Sequence, residues 1–405
     1  KMMEVIYLNY RRISDLFWNP DVWLPPNVTW KDIAPTEDRK YADYNDLYKP
    51  IPFALVIFCI RLIIERMVFM PWGMSLGLRA SKPRTATPNP ILEKAYSGCR
   101  NKPNLPRKQI QGLVKQLHLT EIQIVRWLRI RHMQNRPSKL TKFSESAWRC
   151  LYYTFIAVYG FYCLWDKPWF WDIRHCYYDY PYHTVPDDIW WYYMAELTFY
   201  WSLTFSQFID IKRKDFWEMF VHHITAVCLL GFSWTCNMTR IGTLVCCLHD
   251  SADVFLESAK MAKYANYQRL CDTLFTILTI LWIITRLGLF PFYIIWSTSV
   301  LAPSMLPMFP AYYIFNGLLL ILLLLHTIWT YFIIRIAYRA ISAGSIQKDE
   351  RSSSSECENS ENVNGALCYQ AGDAVNSNVE TTTVVANGPA RKRRSKQEES
   401  SLMTN

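Results

Sequence analysis

Seven apolar segments, each close to the length that a helix needs to cross a lipid bilayer, constrain this chain more than any other feature. A transmembrane helix needs about 20 predominantly apolar residues. Because lipid offers no hydrogen-bond partners, backbone groups there must be satisfied within helices or closed barrels. We therefore expect an all-α membrane protein with about seven transmembrane helices. They are expected at 51–70, 147–165, 189–209, 216–235, 240–260, 271–293 and 311–338.

The composition agrees with a membrane protein, although 405 residues could also hold two or three soluble domains. Hydrophobic residues make up 51% of the chain, and its 17 Trp and 25 Tyr suit membrane–water interfaces. The 12 cysteines form no CxxC pair and several lie in apolar segments, which favours buried thiols over a metal cluster. A disulfide between Cys176 and Cys236 stays open.

The distribution of charge predicts the orientation, because Lys and Arg collect in cytosolic loops. Residues 71–146 contain fifteen Lys or Arg against three Glu, and 210–215 contain three basic residues. The alternate connections differ, since 166–188 has five Asp and two basic residues and 294–310 has no charge. We therefore expect a lumenal amino terminus and a cytosolic carboxyl terminus.

These signals divide the chain into five parts. We expect a lumenal segment at 1–50, a first transmembrane helix at 51–70 and a small cytosolic helical insert within 71–140. A six-helix membrane domain is expected at 141–340 and a disordered cytosolic tail at 341–405. No separate cleavable signal peptide is expected, so the first span would serve for insertion.

Two kinds of modification are predicted at the ends of the chain. Asn27 begins the sequon Asn-Val-Thr on the lumenal side, where glycosylation is topologically allowed. A second sequon at Asn237 lies too near the membrane to be a good acceptor. In the tail, four serines before Glu356 and Glu358 suit an acid-directed kinase; they are Ser352, Ser353, Ser354 and Ser355.

The insert resembles part of a homeodomain. Two helices are predicted in 102–136, one near 107–117 and one starting after a Thr120 N-cap, while a first helix has no obvious match. A homeodomain reads adenine with an Asn on its recognition helix. Counted from Trp127, that position holds Ile130. We therefore expect a basic structural or lipid-headgroup module and no sequence-specific DNA binding.

Four titratable residues stand inside adjacent apolar segments, where such groups are costly and usually functional. His222 and His223 lie about seven residues from the cytosolic end of the fourth segment, roughly 10 Å deep at the rise of a helix. Asp253 and Asp250 lie at roughly 10 and 15 Å in the fifth. We therefore predict that antiparallel packing brings the four to one layer, with the two aspartates on a shared helical face.

Several chemistries fit such a layer. A His beside a carboxylate can act as general base, nucleophile or metal ligand. The same residues could form a buried network that fixes helix packing, or a relay in a proton-coupled transporter. The residues alone leave these alternatives open.

The surrounding sequence resembles the Lag1 motif of ceramide synthases, which belong to the wider TLC-domain group. The resemblance rests on KRKDFWEMFVHH followed by NMTRIGTLVCCLHDSADVFLESAKMAKY and covers about 140–340. An amino-terminal DVWLPPNVTW, the homeodomain-like insert and the acidic Ser-rich tail join it in the family's order. The resemblance implies six helices that form a TLC-type barrel around an acyl-chain tunnel, in the endoplasmic reticulum membrane.

The resemblance further implies transfer of a fatty acyl group from acyl-CoA to the amine of a sphingoid base. The family's catalytic residues map onto His222, His223, Asp250 and Asp253. One histidine, for which we favour His222, would attack the thioester and form an acyl-imidazole, with an aspartate orienting the ring. The competing mechanism uses His only as a general base. A TLC-family lipid transporter or sensor without acyltransferase activity is the alternative function.

The remaining expectations concern ligands and selectivity. No permanently bound cofactor or metal is expected, acyl-CoA being the co-substrate. The CoA phosphates would pair with Lys212, Arg213 and Lys214. Arg286 needs a partner, and two readings stay open: structural pairing with Glu196 or a carbonyl, or contact with the substrate. Acyl length and homo- or heterodimerisation stay open, and the resemblance assigns acyl selectivity to a loop formed by Ser299, Val300, Leu301, Ala302, Pro303, Ser304, Met305 and Leu306.

Overall fold

The structure is a computed structural model that describes residues 2–37, 39–78, 85–98, 105–134, 138–210 and 214–343. Helices make up the regular secondary structure of these ranges, which contain no strand. The predicted phosphate contacts Lys212 and Arg213 and the tail serines Ser352–Ser355 lie outside the described residues.

Helices occupy all seven of the predicted apolar segments. The longer helices are α1 (Met2–Phe17), α2 (Pro50–Ile64), α3 (Pro90–Gly98), α4 (Arg107–Leu117), α5 (Glu121–Gln134), α6 (Lys139–Leu164), α7 (Asp187–Ser206), α8 (Phe216–Thr235), α9 (Thr239–Tyr264), α10 (Gln268–Trp282) and α11 (Ala311–Ala343). Short helical pieces are Pro20–Trp23, Tyr44–Tyr48, Glu65–Phe69, Met70–Ser75, Pro168–Trp171, Ile173–Cys176, Ile283–Ile295, Ser297–Leu301 and Ala302–Met305.

Three helices of the described chain are long and apolar enough to cross a membrane: Phe216–Thr235, Gln268–Met305 and Ala311–Ser342. These correspond to the fourth, sixth and seventh predicted spans. The other predicted spans are helical as well, but they hold more charged residues or fewer strongly apolar ones. The chain therefore has the apolar helices of a membrane protein.

The prediction of a loop at 294–310 is wrong for most of that segment. After α10 the chain continues with π-helical geometry through Ile283–Ile295 and Ser297–Leu301, and then as a short α-helix to Met305. Pro291 is tolerated there because wider helical turns already rearrange the backbone hydrogen bonds that proline cannot make. Only 306–310 connect this helix to α11.

The bundle has two chemically distinct ends. We call the end with connections 207–215 and 265–267 the basic end, and the end with connections 165–186, 236–238 and 306–310 the opposite end. At the basic end, Asp210 accepts hydrogen bonds from Arg61 at 2.7 Å and from Arg149 at 2.8 Å. These charge-assisted bonds tie α2 to α6 and to the end of α7.

The opposite end is closed by the amino-terminal segment. Trp23 is buried against Phe232 and Phe315, and the Trp234 indole donates to the Asp43 carbonyl at 2.8 Å. The Asn237 amide is fully buried and donates to the carbonyls of 181 and 183 at 2.6 and 2.8 Å. The second sequon is therefore enclosed by protein, whereas the Asn27 side chain is exposed.

Close helix packing in the core depends on two glycines. A Cβ at Gly160 of α6 would lie 2.7 Å from the Tyr192 hydroxyl, and one at Gly242 of α9 would collide with the Tyr193 hydroxyl. Both tyrosines are almost completely buried. The missing side chains therefore allow α7 to press its tyrosine rings onto α6 and α9.

Substitution Gly160→Ala is expected to destabilise the protein by about 1–3 kcal/mol, because the added methyl must displace a buried ring. Gly317→Ala in α11 is the matched control, since a Cβ there meets nothing within 4 Å. Thermal unfolding of the purified protein in detergent measures both. Equal melting temperatures for the two variants would contradict the packing argument.

The insert forms a three-helix unit from α3, α4 and α5. The expectation that it lacks a first helix is wrong, because α3 begins at Pro90 after Asn89, whose side chain accepts from the amides of 91 and 92. The Thr120 N-cap is confirmed, with the Thr120 hydroxyl accepting from the Gln123 amide at 3.3 Å. The unit has its own apolar core, formed by Leu92, Tyr96, Leu105, Ile110, Leu113, Ile124, Trp127 and Leu128.

An ion pair joins the first and third helices of the insert. Arg131 donates to Glu93 at 2.7 Å, and this hydrogen bond lowers the pKa of the Glu93 carboxyl. Ile130 is partly buried at the position that carries the adenine-reading Asn in a homeodomain. The unit therefore has three helices and carries Ile130 in place of the base-reading Asn.

Candidate active site

Two cavities meet at the predicted histidines. The outer cavity reaches the basic end, where Asp210, Phe216 and Lys260 line it. The inner cavity lies deeper in the bundle and has mainly apolar walls. His222 and His249 border both cavities. A group on His222 can therefore contact a polar ligand on one side and an apolar chain on the other.

His222 is the half-buried histidine at this junction. Its ring centre lies 5.4 Å from the Trp329 ring, in a nearly perpendicular arrangement, and 6.1 Å from the Tyr200 ring. Its Nδ1 atom is buried without a hydrogen-bond partner among the described residues. Among the described residues no aspartate bonds to this nitrogen, and aromatic packing places the ring; orientation of the ring by an aspartate stays a prediction.

His223 lies beside it in the wall of the outer cavity, with a defined tautomer. Its Nδ1 is 3.1 Å from Oε1 of Gln207, whose Nε2 donates to the Phe216 carbonyl at 2.6 Å. Since the amide oxygen can only accept, His223 Nδ1 carries the proton and donates. The neutral ring therefore keeps a lone pair on Nε2, which can accept a proton.

Asp253 lines the outer cavity and faces Arg286. The Asp253 Oδ2 and Arg286 Nη2 atoms are 3.6 Å apart. The buried Arg286 also donates to the carbonyls of Leu248 at 2.8 Å and His249 at 2.5 Å. Of the two expected partners, the carbonyl is confirmed. The guanidinium thus joins the π-helical segment Ile283–Ile295 to α9 and places a positive charge beside the cavity.

Asp250 does not line the cavity with Asp253, contrary to the predicted shared face of the two aspartates. It is almost completely buried between α9 and α7, against Glu196, which also lies against Tyr192. Within the described chain, no hydrogen bond of normal geometry reaches either Glu196 oxygen. Two carboxyl groups attract each other only when one carries a proton, so this contact suits a proton-sharing pair that packs two helices.

Comparison with known proteins identifies the family of this chain. The family described as the TLC domain matches residues 142–335. The chain is 45% identical to ceramide synthase 5 of Homo sapiens over 336 residues, which cover 83% of this chain and 85% of that protein. The chain belongs to the ceramide synthase family. It is also 41% identical to ceramide synthase 3 of Mus musculus over 331 residues (82% and 86% covered) and 40% identical to ceramide synthase 4 of Homo sapiens over 353 residues (87% and 89%).

His326 is a site residue of this family member that sequence reasoning missed. His249 holds its Nδ1 at 2.6 Å from the Val245 carbonyl and therefore donates there, which leaves its Nε2 as an acceptor. His326 Nε2, at 3.2 Å, must then donate to it. His326 Nδ1 is left as a buried acceptor with no partner among the described residues. The sequence signal was available, since His326 is also a titratable residue inside an apolar segment.

The wall of the outer cavity also holds an indole donor. Trp329 lies one helical turn after His326 on α11, and its Nε1 has no partner in the described part of the chain. Buried polar atoms in native proteins are nearly always hydrogen-bonded. The unpaired atoms of His222, His326 and Trp329 therefore identify a place where a polar ligand group would be stabilised.

Charged residues surround the outer cavity at the basic end. Arg149 and Lys260 line it and form ion pairs with Asp210 at 2.8 Å and Glu257 at 2.6 Å. Lys214 is exposed just before Phe216, which is itself a wall residue. No group of three or more His, Cys, Asp or Glu side chains with the arrangement of a metal site occurs among the described residues.

Cys176 and Cys236, at the opposite end, are both free and buried. Burial raises the pKa of both thiols. They therefore belong to the packed interior of that end of the bundle, away from the cavity walls.

Proposed function

We propose that this protein is an acyl-CoA-dependent sphingoid base N-acyltransferase that forms ceramide or dihydroceramide. The observation that carries the proposal is the position of His222 between an outer cavity, which reaches the basic end and has charged residues in its wall, and an apolar cavity behind it. A fatty acyl-CoA likewise has a charged CoA part on one side of its thioester and an apolar acyl chain on the other. Membership of the ceramide synthase family supports the same activity.

In the proposed topology, α2 and α6 to α11 cross the endoplasmic reticulum membrane. The basic end faces the cytosol, and the opposite end, with Asn27 as a glycosylation site, faces the lumen. The six helices α6 to α11 form the barrel around the two cavities. Membrane lipids then contact the exposed apolar faces of these helices.

The acyl-CoA enters from the cytosol in this arrangement. Lys212, Arg213 and Lys214 bind the CoA phosphates outside the cavity mouth, where charge-assisted hydrogen bonds are strong. The thioester reaches His222 through the outer cavity and the acyl chain occupies the inner one. Acyl-CoA is a co-substrate, and the proposal includes no permanently bound cofactor.

The proposed reaction has two steps. The lone pair of a His222 ring nitrogen attacks the thioester carbon, the carbon–sulfur bond breaks, CoA leaves as a thiolate, and the acyl-imidazole forms in its protonated (imidazolium) state. The sphingoid amine then attacks the same carbon, the imidazole leaves, and the amine loses a proton. His223 Nε2 and the Asp253 carboxylate are the proton acceptors in the same cavity wall.

Two alternatives predict different results. Direct attack by the amine, with His222 as a general base only, needs no covalent intermediate. A TLC-family lipid transporter or sensor would form no product from acyl-CoA and a sphingoid base. Homo- or heterodimerisation and phosphorylation of the tail serines stay predictions.

The segment 299–306 is also part of the proposal, as a support for acyl selectivity. Leu301, Ala302, Met305 and Leu306 pack against the main core, and Ser299 bonds to Asn316 of α11 at 2.9 Å. The segment therefore packs behind the residues that line the inner cavity. Its effect on selectivity would be indirect.

The function is tested with membranes from cells that lack their own ceramide synthases and express this chain. Palmitoyl-CoA and sphinganine are expected to yield dihydroceramide, and omission of either substrate is expected to stop its formation. Membranes from cells with the empty vector are the control. Absence of product with any acyl-CoA, from protein that is expressed and folded, would overturn the proposal.

A further inference from the structure

A bar of side chains from α7, α8 and α9 forms part of the wall of the inner cavity, toward the opposite end of the bundle. The Tyr193 hydroxyl is hydrogen-bonded to the Ser233 hydroxyl, and both residues line the cavity. Gly242 lines it beside them, where a Cβ would collide with the same tyrosine hydroxyl. Met238 and Phe315 complete the wall at this depth.

The direction of these hydrogen bonds fixes the hydroxyl of Tyr193. Ser233 Oγ is 2.6 Å from the Leu229 carbonyl, which can only accept, so the serine proton goes there. Tyr193 must then donate its own proton to Ser233. The phenol ring also packs on Trp234, with ring centres 5.1 Å apart. Contacts with two residues of α8 therefore hold the ring against Gly242 of α9.

The depth of this bar matches a fatty acyl chain. Ser233 follows His222 by eleven residues on α8, which places it about 16 Å along the helix. An extended chain advances about 1.2 Å per bond, so about 13 bonds separate an acyl carbon at His222 from the bar. Shorter chains stop above the bar, and longer chains press against it.

We propose that Tyr193, seated on Gly242 and held by Ser233, is the floor that limits the length of the acyl chain. The proposal rests on the proposed acyl transfer and adds a residue that sets its specificity. The inner cavity is lined by Thr298 but, within the described chain, by none of residues 299–306. The direct contact with the end of the chain therefore belongs to α7 and α9.

Two substitutions are expected to shift the preference in opposite directions. Tyr193→Leu shortens the floor side chain and deepens the cavity, so the share of products from longer acyl-CoAs should rise. Gly242→Ala forces the Tyr193 hydroxyl away from α9 and into the cavity, so the share of products from longer acyl-CoAs should fall. Each methylene that is newly buried or excluded changes the preference about fourfold.

The experiment gives membranes with the full chain an equimolar mixture of decanoyl-, palmitoyl-, stearoyl- and arachidoyl-CoA with sphinganine, and measures the products by mass spectrometry. Because the decanoyl chain is too short to reach the floor, the amount of its product measures acyl transfer independently of the floor. The double variant Tyr193→Leu/Gly242→Ala is expected to return toward the wild-type distribution. Gly231→Ala, where a Cβ meets nothing within 4 Å, is the control and should change nothing.

The outcomes separate this proposal from the proposed function. Unchanged product distributions in active variants, or shifts of both variants in one direction, would overturn the floor while leaving the transferase intact. No product from wild type with any donor would overturn the function itself. If Tyr193→Leu yields no folded protein, Gly242→Ala decides, because a shift toward shorter products supports the floor and an unchanged distribution refutes it.

Discussion

Substitution His222→Ala is expected to abolish ceramide formation, with a loss on the order of 10³-fold or more. His222 is the histidine of the Lag1 motif that borders both cavities, so it alone of that pair can contact the thioester and the start of the acyl chain. Since its ring is placed by Trp329 and Tyr200, loss of the imidazole removes the reacting group and leaves the surrounding helices packed. Initial rates with palmitoyl-CoA and sphinganine measure the effect.

His175→Ala is the matched control for this variant. His175 lies in the connection between α6 and α7 at the opposite end of the bundle and lines neither cavity. Its loss should leave the rate within about twofold of wild type, as is usual for substitutions away from the site. Ceramide formation by the His222→Ala variant at the wild-type rate would show that His222 is not the nucleophile.

Asp253→Asn is expected to lower the rate by about 10²-fold without unfolding the protein. The change preserves size but removes the carboxylate that lies 3.6 Å from Arg286 in the wall of the outer cavity. It therefore leaves the buried guanidinium with one compensating charge fewer and removes a proton acceptor beside the reacting amine. The rate of ceramide formation and the melting temperature are measured together.

The substitution Asp250→Asn distinguishes the roles of the two aspartates, which look equivalent in the sequence. Asp250 lies outside both cavity walls and packs against Glu196, where an amide can still donate a hydrogen bond. We expect a larger change in melting temperature than in rate. Equal losses of rate in Asp253→Asn and Asp250→Asn, at equal stability, would contradict the separate roles.

The positions of the membrane helices could be predicted because a bilayer-length run of apolar residues is a strong local signal. The depth of His222 and of Asp253 followed from the same count along two antiparallel helices. The direction of Asp250 did not, since positions three apart are rotated by about 60° around the helix axis, and this is enough to move Asp250 from the cavity wall into the contact with α7. Its contact with Glu196 depends on how α7 lies against α9.

Other features depended on contacts between distant parts of the sequence. His326 meets His249 across 77 positions of the chain, and only the packing of α11 reveals that pair. The floor at Tyr193 likewise needs Gly242 on another helix. By contrast, the first helix of the insert had a local signal in Asn89 before Pro90, a common start of a helix.

The central claim, that the acyl group passes through His222, is tested most directly by mass spectrometry of the purified protein. After incubation with palmitoyl-CoA alone, we predict the added mass of one palmitoyl group on the peptide that contains His222. The adduct should be absent from His222→Ala and should disappear from wild type when sphinganine is added, as dihydroceramide is released. An enzyme that forms dihydroceramide at full rate while no trapping condition reveals an adduct, or an adduct that persists in His222→Ala, would contradict the claim.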